Sequence, residues 1–244
     1  MTAGIDLAAE PKGTALSVID WSGERAKLIS VATGLNDAEL ISGCLGATKI
    51  GIDCALGWPI EFVEFVSQQA ESLDGSIDGG LDWRRRLAFR ETDRVVRQVT
   101  GRWPLSVATD RLGMTALRCS GLLSKMRRSG VEVDRSGAGT LVEIYPAAAL
   151  RIWGFSTTGY RVSADLRKSL LAEIISHLPS LDLNGHEELL AESCDAFDSL
   201  VASLATRAAA LGFYEAPAPE MVARAKKEGW IALPNRPLGA LFSS

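Results

Sequence analysis

Hydrophobic and polar positions at the start of the chain form short runs that predict β-strands. Residues 2–8, 14–20 and 26–32 are apolar and β-capable, and the breaks "PKG" and "WSGE" separate them. Three short strands joined by tight turns favour an antiparallel meander. A further apolar run at 49–54, ended by Gly57 and Pro59, predicts a fourth strand.

Helical spacing dominates the rest of the chain, with two interruptions. An irregular helical pattern over about 72–130 predicts a helical insertion, and a pattern from about Glu187 to Leu211 predicts one long helix. "VEVDRSGAGTLVEIYP" contains two strand-like runs around a turn, and "WIALP" predicts a late strand. The pattern therefore predicts a single mixed α/β domain over 1–244.

Composition excludes several classes of protein. The chain has 244 residues, 47% of them hydrophobic, and a formal net charge of −4, so any contact with nucleic acid must come from a local basic patch. Its apolar runs are too short for a membrane span, and no secretory signal is visible. Four scattered cysteines without a CxxC pair indicate reduced thiols. We expect a cytoplasmic protein with no membrane partner.

Acidic residues interrupt segments that otherwise look buried. Asp6 and Asp53 each end a "GID" run, Glu143 lies within "LVEIYP", and Asp195 and Asp198 begin the long helical pattern. Carboxylates that meet inside a fold repel each other and their pKa values rise, unless a cation lies between them. Mg²⁺ and Mn²⁺ prefer such oxygen ligands. The acids together predict a divalent-cation site.

Each acid taken alone has a simpler interpretation. Residues three apart share a helical face, so Asp195 and Asp198 could point together toward the strand ends. Either could instead cap the helix or face water near its start, and Asp6 could lie at an exposed strand end. The prediction of a site depends on the whole set.

A basic stretch in the insertion offers contacts for a phosphate-bearing substrate. Arg90 and Arg94 have helical spacing and are the candidate substrate-binding residues. A solvated helix face with internal Arg–Asp pairs explains the same spacing equally well. Trp58, Trp83 and Trp103 could stack on bases, but we expect them to pack in the core.

The order of these motifs resembles a known superfamily. "GIDLA", "IGIDCALGWP", "RETDRVVR", "EIYPAAALRIWG" and "CDAFDSLVASLATRAAALG" are similar to motifs of a bacterial and archaeal family described as predicted RNase H-like nucleases. The helix with "DAFD" in particular resembles that of Holliday-junction resolvases. The resemblance extends from Gly4 to about Pro234.

The resemblance implies an RNase H-like fold: a mixed five-stranded central sheet with an antiparallel meander, the first and fourth strands adjacent, flanking helices and the insertion. It implies that Asp6 bridges two metal ions, that Asp53 is the fourth-strand ligand, and that Asp195 or Asp198 is the helix ligand. Glu143 belongs to the closer family's E-x-Y-P motif and is expected near the site, as an accessory ligand or a neighbour of the ligands.

The expected function is hydrolysis of phosphodiester bonds in DNA or RNA by a two-metal mechanism with Mg²⁺ or Mn²⁺. Two alternatives stay open. The chain could be a binding or regulatory protein that kept the fold without catalysis. It could also be a phosphotransferase of the actin and sugar-kinase type, although only one glycine follows Asp6 in "DLAAEPKG". A homodimer is compatible with this reading, because cleavage of a branched junction needs paired sites.

Overall fold

One mixed sheet of six strands lies at the centre of the fold, in a computed structural model that describes residues 1–71 and 79–242. The strands are β1 (Thr2–Asp6), β2 (Ala15–Asp20), β3 (Ala26–Thr33), β4 (Lys49–Asp53), β5 (Leu141–Glu143) and β6 (Leu181–Asp182). Their order is β5-β4-β1-β2-β3-β6. β1, β2 and β3 form the predicted antiparallel meander, and β4 pairs in parallel with both β1 and β5. The predicted adjacency of the first and fourth strands is confirmed.

The sheet departs from the expectation in three places. Residues 181–182 add a short sixth strand, parallel to β3, where five strands were expected. The run before the Ser-Gly-Ala-Gly turn is a loop, because Asp134 Oδ1 accepts hydrogen bonds from the backbone N–H and hydroxyl of Ser136. "WIALP" forms only two isolated bridges, Ile231 with Glu143 and Pro234 with Tyr214, and the Ile231 N–H donates to Thr92 Oγ1 (2.8 Å).

Ten α-helices surround the sheet within the described residues. They are α1 (Asp37–Gly43), α2 (Ile60–Glu71), α3 (Gly80–Ala88), α4 (Glu91–Thr100), α5 (Gly113–Arg128), α6 (Pro146–Ile152), α7 (Ala164–His177), α8 (Glu187–Glu192), α9 (Cys194–Ala210) and α10 (Val222–Glu228). Helices α3 to α5 lie in the predicted insertion, whose first residues, 72–78, fall outside the described part of the chain. No described helix is long and apolar enough to cross a bilayer.

The long C-terminal helix predicted from 187 to 211 is two helices. Ser193 is extended (φ −102°, ψ 119°) and separates α8 from α9. Its hydroxyl accepts a hydrogen bond from the Ala196 N–H (3.1 Å), so it caps α9. The break places Asp195 and Asp198 in the first two turns of a new helix.

Helix α9 lies directly on the sheet because two strand glycines leave room for it. A Cβ atom at Gly4 would overlap the backbone at Ser203, and one at Gly51 would overlap the hydroxyl of Thr206. Glycine is the residue that permits such a close approach of helix and strand.

The direction of α9 follows from two side-chain pairs across this contact. The hydroxyl of Thr2 lies 3.0 Å from that of Ser203, and the hydroxyl of Ser17 lies 2.6 Å from that of Ser199. The helix therefore runs antiparallel to β1. Its N-terminal end lies over the end of β1 that carries Asp6.

The opposite face of the sheet is covered by α1 and α5. Ile5 and Ile52 pack there in a buried cluster with Leu40 of α1 and Leu122 of α5. Side chains alternate between the faces of a strand. Asp6 and Asp53 therefore share the α9 face with the two glycines.

Candidate active site

Two aspartates end adjacent parallel strands at the same level. Asp6 of β1 pairs in register with Asp53 of β4, and Gly4 pairs with Gly51 two residues earlier. Adjacent strands are about 4.8 Å apart. The two carboxylates thus leave the sheet side by side, on the face that α9 covers.

The N-terminal turns of α9 bring two more carboxylates to this place. Asp198 is buried, with 3% of its surface exposed, whereas Asp195 is partly exposed. Both charges act on Asp6, and Asp198 also acts on Asp53. The structure therefore brings together the four aspartates that the sequence had placed far apart.

Asp198 is held by two neighbours from the loop before α7. The Tyr160 hydroxyl donates to Asp198 Oδ1 (2.9 Å), and Arg161 Nη2 lies 3.1 Å from Oδ2. Arg161 Nε also donates to the Tyr160 hydroxyl (3.2 Å). The Arg161 side chain is 52% exposed, so it can leave Asp198 for a ligand without unfolding its surroundings.

A buried arginine fixes this loop against the start of α9. Arg167 of α7 donates three hydrogen bonds of 2.8 Å, to the carbonyls of Tyr160, Ala191 and Glu192. Two of these carbonyls lie at the end of α8, just before the Ser193 cap. Arg167 thereby joins the segment that carries Arg161 to the segment that carries Asp195 and Asp198.

Electrostatics at the site favour either protonation or a bound cation. Burial raises the pKa of Asp53 to about 8, and the charge of Asp198 adds to this rise. Burial also raises the pKa of Asp6 well above its ordinary value, with further contributions from Asp53, Asp198 and Asp195. Burial raises the pKa values of Asp195 and Asp198, and Arg161 opposes the rise in both.

Glu143 has a different environment from the four aspartates. Arg90 Nη1 and Nη2 donate to its two carboxylate oxygens (2.8 and 2.7 Å), and the Leu56 N–H donates to Oε2 (3.0 Å). Arg90 also donates to both oxygens of Asp93 and to the Glu228 carbonyl. Arg90 and Glu143 are each 3% exposed. The guanidinium is thus fully engaged within the protein.

Arg94, the second candidate substrate-binding residue, lies away from the carboxylates. Its side chain is 31% exposed, its Nε is 3.5 Å from Glu91, and its Nη2 donates to the Phe89 carbonyl (3.2 Å). It is not among the described residues that line the acidic cavity. The substrate-binding roles of Arg90 and Arg94 stay predictions.

The acids open into a cavity of about 330 Å³. Its charged lining consists of Asp6, Asp53, Glu143, Asp195, Asp198, Arg90 and Arg161. One wall comes from the insertion: Pro104, Leu105, Leu112 and Thr115. Such a volume lies at the small end of the usual range for small-molecule sites, about 300–1,000 Å³.

A divalent cation fits this cavity by charge and by donor chemistry. Because Glu143 cancels the charge of Arg90, the described lining leaves four aspartates facing one arginine, Arg161, a net charge of −3 when all are ionised. Carboxylate oxygens are the ligands that Mg²⁺ and Mn²⁺ prefer. Within residues 1–71 and 79–242, however, no three acidic, cysteine or histidine side chains are already arranged to hold an ion.

Sequence reasoning missed Tyr160, Arg161 and Arg167. The segment "TTGYRVSADLR" carries no helical or strand period before its Ser163 cap, and nothing local distinguishes Arg161 among the 26 basic residues. Only the distance to Asp198 identifies it. Trp103, expected in the core, is 38% exposed.

The fold and the site together define an α/β protein with a mixed sheet and an acidic cavity at the end of its central strands. The chain belongs to the protein family of unknown function DUF429, whose family model matches residues 4–222. No curated protein and no solved structure matches the chain.

Proposed function

We propose that the protein is a metal-dependent nuclease with an RNase H-like fold, which hydrolyses phosphodiester bonds of nucleic acid at the four-aspartate cavity. The observation that carries the proposal is the convergence of Asp6, Asp53, Asp195 and Asp198 from two strands and one helix on a single cavity. Keeping Asp6, Asp53 and Asp198, which burial desolvates, together with the partly exposed Asp195 beside one half-exposed arginine is costly unless cations accompany them.

The strand order supports the RNase H-like part of the proposal. An antiparallel meander, a fourth strand in parallel beside the first, and an acid at the end of each of these two strands are the features that the resemblance implies. The two-residue strand β6 at the edge is an addition that leaves this core unchanged.

Asp6 and Asp53 would hold one or two Mg²⁺ or Mn²⁺ ions together with Asp198 or Asp195. Bound ions of this kind polarise a phosphoryl oxygen and lower the pKa of bound water. The chain itself orients the ligands: strand register aligns Asp6 with Asp53, and Tyr160 fixes one oxygen of Asp198.

Two arginines would have separate tasks. Arg161 is exposed enough to exchange Asp198 for a phosphate oxygen of the substrate, and its charge reaches all four aspartates. Arg90 is buried and all its donors are occupied, so its task in this proposal is to position Glu143. Glu143 in turn holds the Leu56 N–H, in the segment that follows Asp53.

A metal titration followed by thermal melting tests the proposal. Mg²⁺ or Mn²⁺ at about 100 times its Kd should stabilise the fold by about 2.7 kcal/mol and raise the Tm by about 5–10 °C. Asp6→Asn should abolish this rise. Without metal the same variant should melt at or above the wild-type temperature, because it removes a buried, repelled charge.

Asp82→Asn is the matched control, since Asp82 is 91% exposed and pairs with Arg85 at the surface. It should keep the full metal response. Labelled single-stranded, duplex, branched and hybrid nucleic acids then test for cleavage that Asp6→Asn removes. An unchanged Tm at millimolar metal, or cleavage that survives Asp6→Asn, would contradict the nuclease proposal.

A further inference from the structure

The insertion builds a wall over one side of the acidic cavity. Pro104 and Leu105, in the loop between α4 and α5, line the cavity, and so does Leu112, which immediately precedes α5. Leu105 is 43% exposed although it lines the cavity. The cavity wall on this side is therefore largely apolar.

Two aromatic rings lie beside this wall and form what we call the aromatic platform, Phe89 and Trp103. Their ring centroids are 4.2 Å apart and their planes differ by 25°. Trp103 is 38% exposed and directly precedes Pro104 of the wall. An exposed tryptophan that directly precedes a residue of the cavity wall offers apolar ring surface to a planar ligand.

Positive charge surrounds the platform, whereas the cavity is acidic. Arg102 and Arg111 are exposed at either end of the loop that carries Trp103. Arg94 donates to the carbonyl of Phe89, which places its partly exposed guanidinium beside the platform. A ligand that combines a planar ring with a phosphate group matches this arrangement.

Resting on the proposed nuclease activity, we infer that the substrate is a single-stranded nucleic acid, with a base next to the cleaved phosphate stacked on the aromatic platform. In a duplex both faces of each base are covered, so a base cannot stack on Trp103 unless it leaves the helix. The cavity of about 330 Å³, at the small end of the usual range for ligand sites, also favours one strand over two.

The test measures binding without cleavage. Fluorescein-labelled oligonucleotides of about 12 nucleotides, a length within the usual site sizes for single-strand binding, are titrated with the full chain and followed by anisotropy. DNA and RNA single strands are compared with blunt duplexes of the same sequence. Wild-type protein is used in EDTA and Asp6→Asn in Mg²⁺, so that neither cleaves through the proposed site.

Single strands should bind at least about tenfold more tightly than duplexes, and the DNA and RNA arms show which sugar is preferred. Trp103→Ala should raise the single-strand Kd about 5- to 100-fold, because stacking is worth about 1–3 kcal/mol per base. Trp103→Phe keeps a ring and should restore most of the affinity. Met114→Ala, at a residue 69% exposed on the same insertion, should have no effect.

Equal binding of single strands and duplexes, no binding of either, or unchanged binding by a folded Trp103→Ala variant would overturn this inference. Melting curves establish that each variant is folded. The result is independent of the metal test, because binding is measured without turnover. If metal raises the Tm but Trp103→Ala binds single strands as tightly as wild type, only the role of the aromatic platform is refuted. If Trp103→Ala weakens single-strand binding but metal leaves the Tm unchanged, only the metal-dependent nuclease proposal is refuted.

Discussion

Asp198 has contacts of two kinds, and they differ in how easily they break. Tyr160 is buried, and its backbone carbonyl is held by Arg167, whereas half of the Arg161 side chain is open to solvent. Arg161 nonetheless lowers the pKa of Asp6, Asp53, Asp195 and Asp198. The charge of this half-exposed residue therefore opposes, at all four carboxylates, the rise in pKa that burial causes.

Arg161→Gln separates metal binding from substrate binding. Exposed ion pairs are worth about 0.2–1 kcal/mol, so removing this competitor should lower the Mg²⁺ concentration for half-maximal Tm shift by up to about fivefold. The efficiency of cleavage, in contrast, should fall in Arg161→Gln. Loss of a charge-assisted hydrogen bond to phosphate, about 1.5–3 kcal/mol, should reduce kcat/KM about 10- to 100-fold.

Arg161→Lys keeps the charge and should lie between wild type and Arg161→Gln in both measurements. Arg128→Gln, at an exposed residue in the last turn of α5, should change neither. Parallel losses of metal binding and cleavage in Arg161→Gln would contradict the separation, since they would indicate general damage to the site.

At the scale of elements, a buried ion pair joins the insertion to the edge of the sheet. Arg90 precedes the first residue of α4, and Asp93 of the same helix accepts its backbone N–H (2.8 Å). The guanidinium of Arg90 then reaches Glu143 at the end of β5. The insertion helix and the strand are thus connected through charges that water cannot screen.

Arg90→Met should lower the free energy of unfolding by about 3–5 kcal/mol, because it leaves Glu143 and Asp93 buried without their partner. Arg94→Met, four residues later and 31% exposed, removes a surface pair with Glu91 and a hydrogen bond to the Phe89 carbonyl, and should cost about 1 kcal/mol. Chemical denaturation measures both. Similar losses in the two variants would show that the buried pair has no special structural role.

The secondary-structure elements also show which parts of the fold the sequence patterns could predict. The meander and β4 are local features, and their hydrophobic patterns and turn residues predicted them. The break between α8 and α9 was missed because Ser193 stands inside a continuous helical period, where only its extended backbone reveals the cap. The sequence around Arg90 and Arg161 does not show that one is buried against Glu143 and the other half exposed beside Asp198, because both partners lie far away in the chain.

At the scale of the whole molecule, the site forms only when α9 packs on β1 and β4, which lie far from it in the chain. Asp6 and Asp53 come from the first strands, whereas Asp195 and Asp198 come from a helix near the other end. The packing of α9 on Gly4 and Gly51 closes this distance. Folding therefore concentrates negative charge that the unfolded chain keeps apart.

This concentration of charge predicts how the response to metal depends on pH. Burial raises the pKa of Asp53 from 3.8 to about 8, so its contribution to stability is complete below about pH 4 and is lost as the pH rises through 8. Bound metal needs the ionised form. The Mg²⁺-induced rise in Tm should therefore be small at about pH 5 and increase up to about pH 8.

Asp53→Asn should show no such increase with pH, and melting curves with Mg²⁺ or with EDTA at each pH measure the difference. A metal response of constant size between about pH 5 and pH 8 would contradict the assigned protonation behaviour.

The repeated tripeptide Gly-Ile-Asp has a consequence for the accuracy of folding. With β1 and β4 in register, both glycines face α9, both isoleucines face α5, and both aspartates reach the cavity. A slip of β4 by one residue would turn Ile52 toward α9, where only glycine fits, and Asp53 toward the opposite core. Core packing therefore destabilises a sheet with the wrong register. Molecules that complete folding have Asp6 and Asp53 side by side.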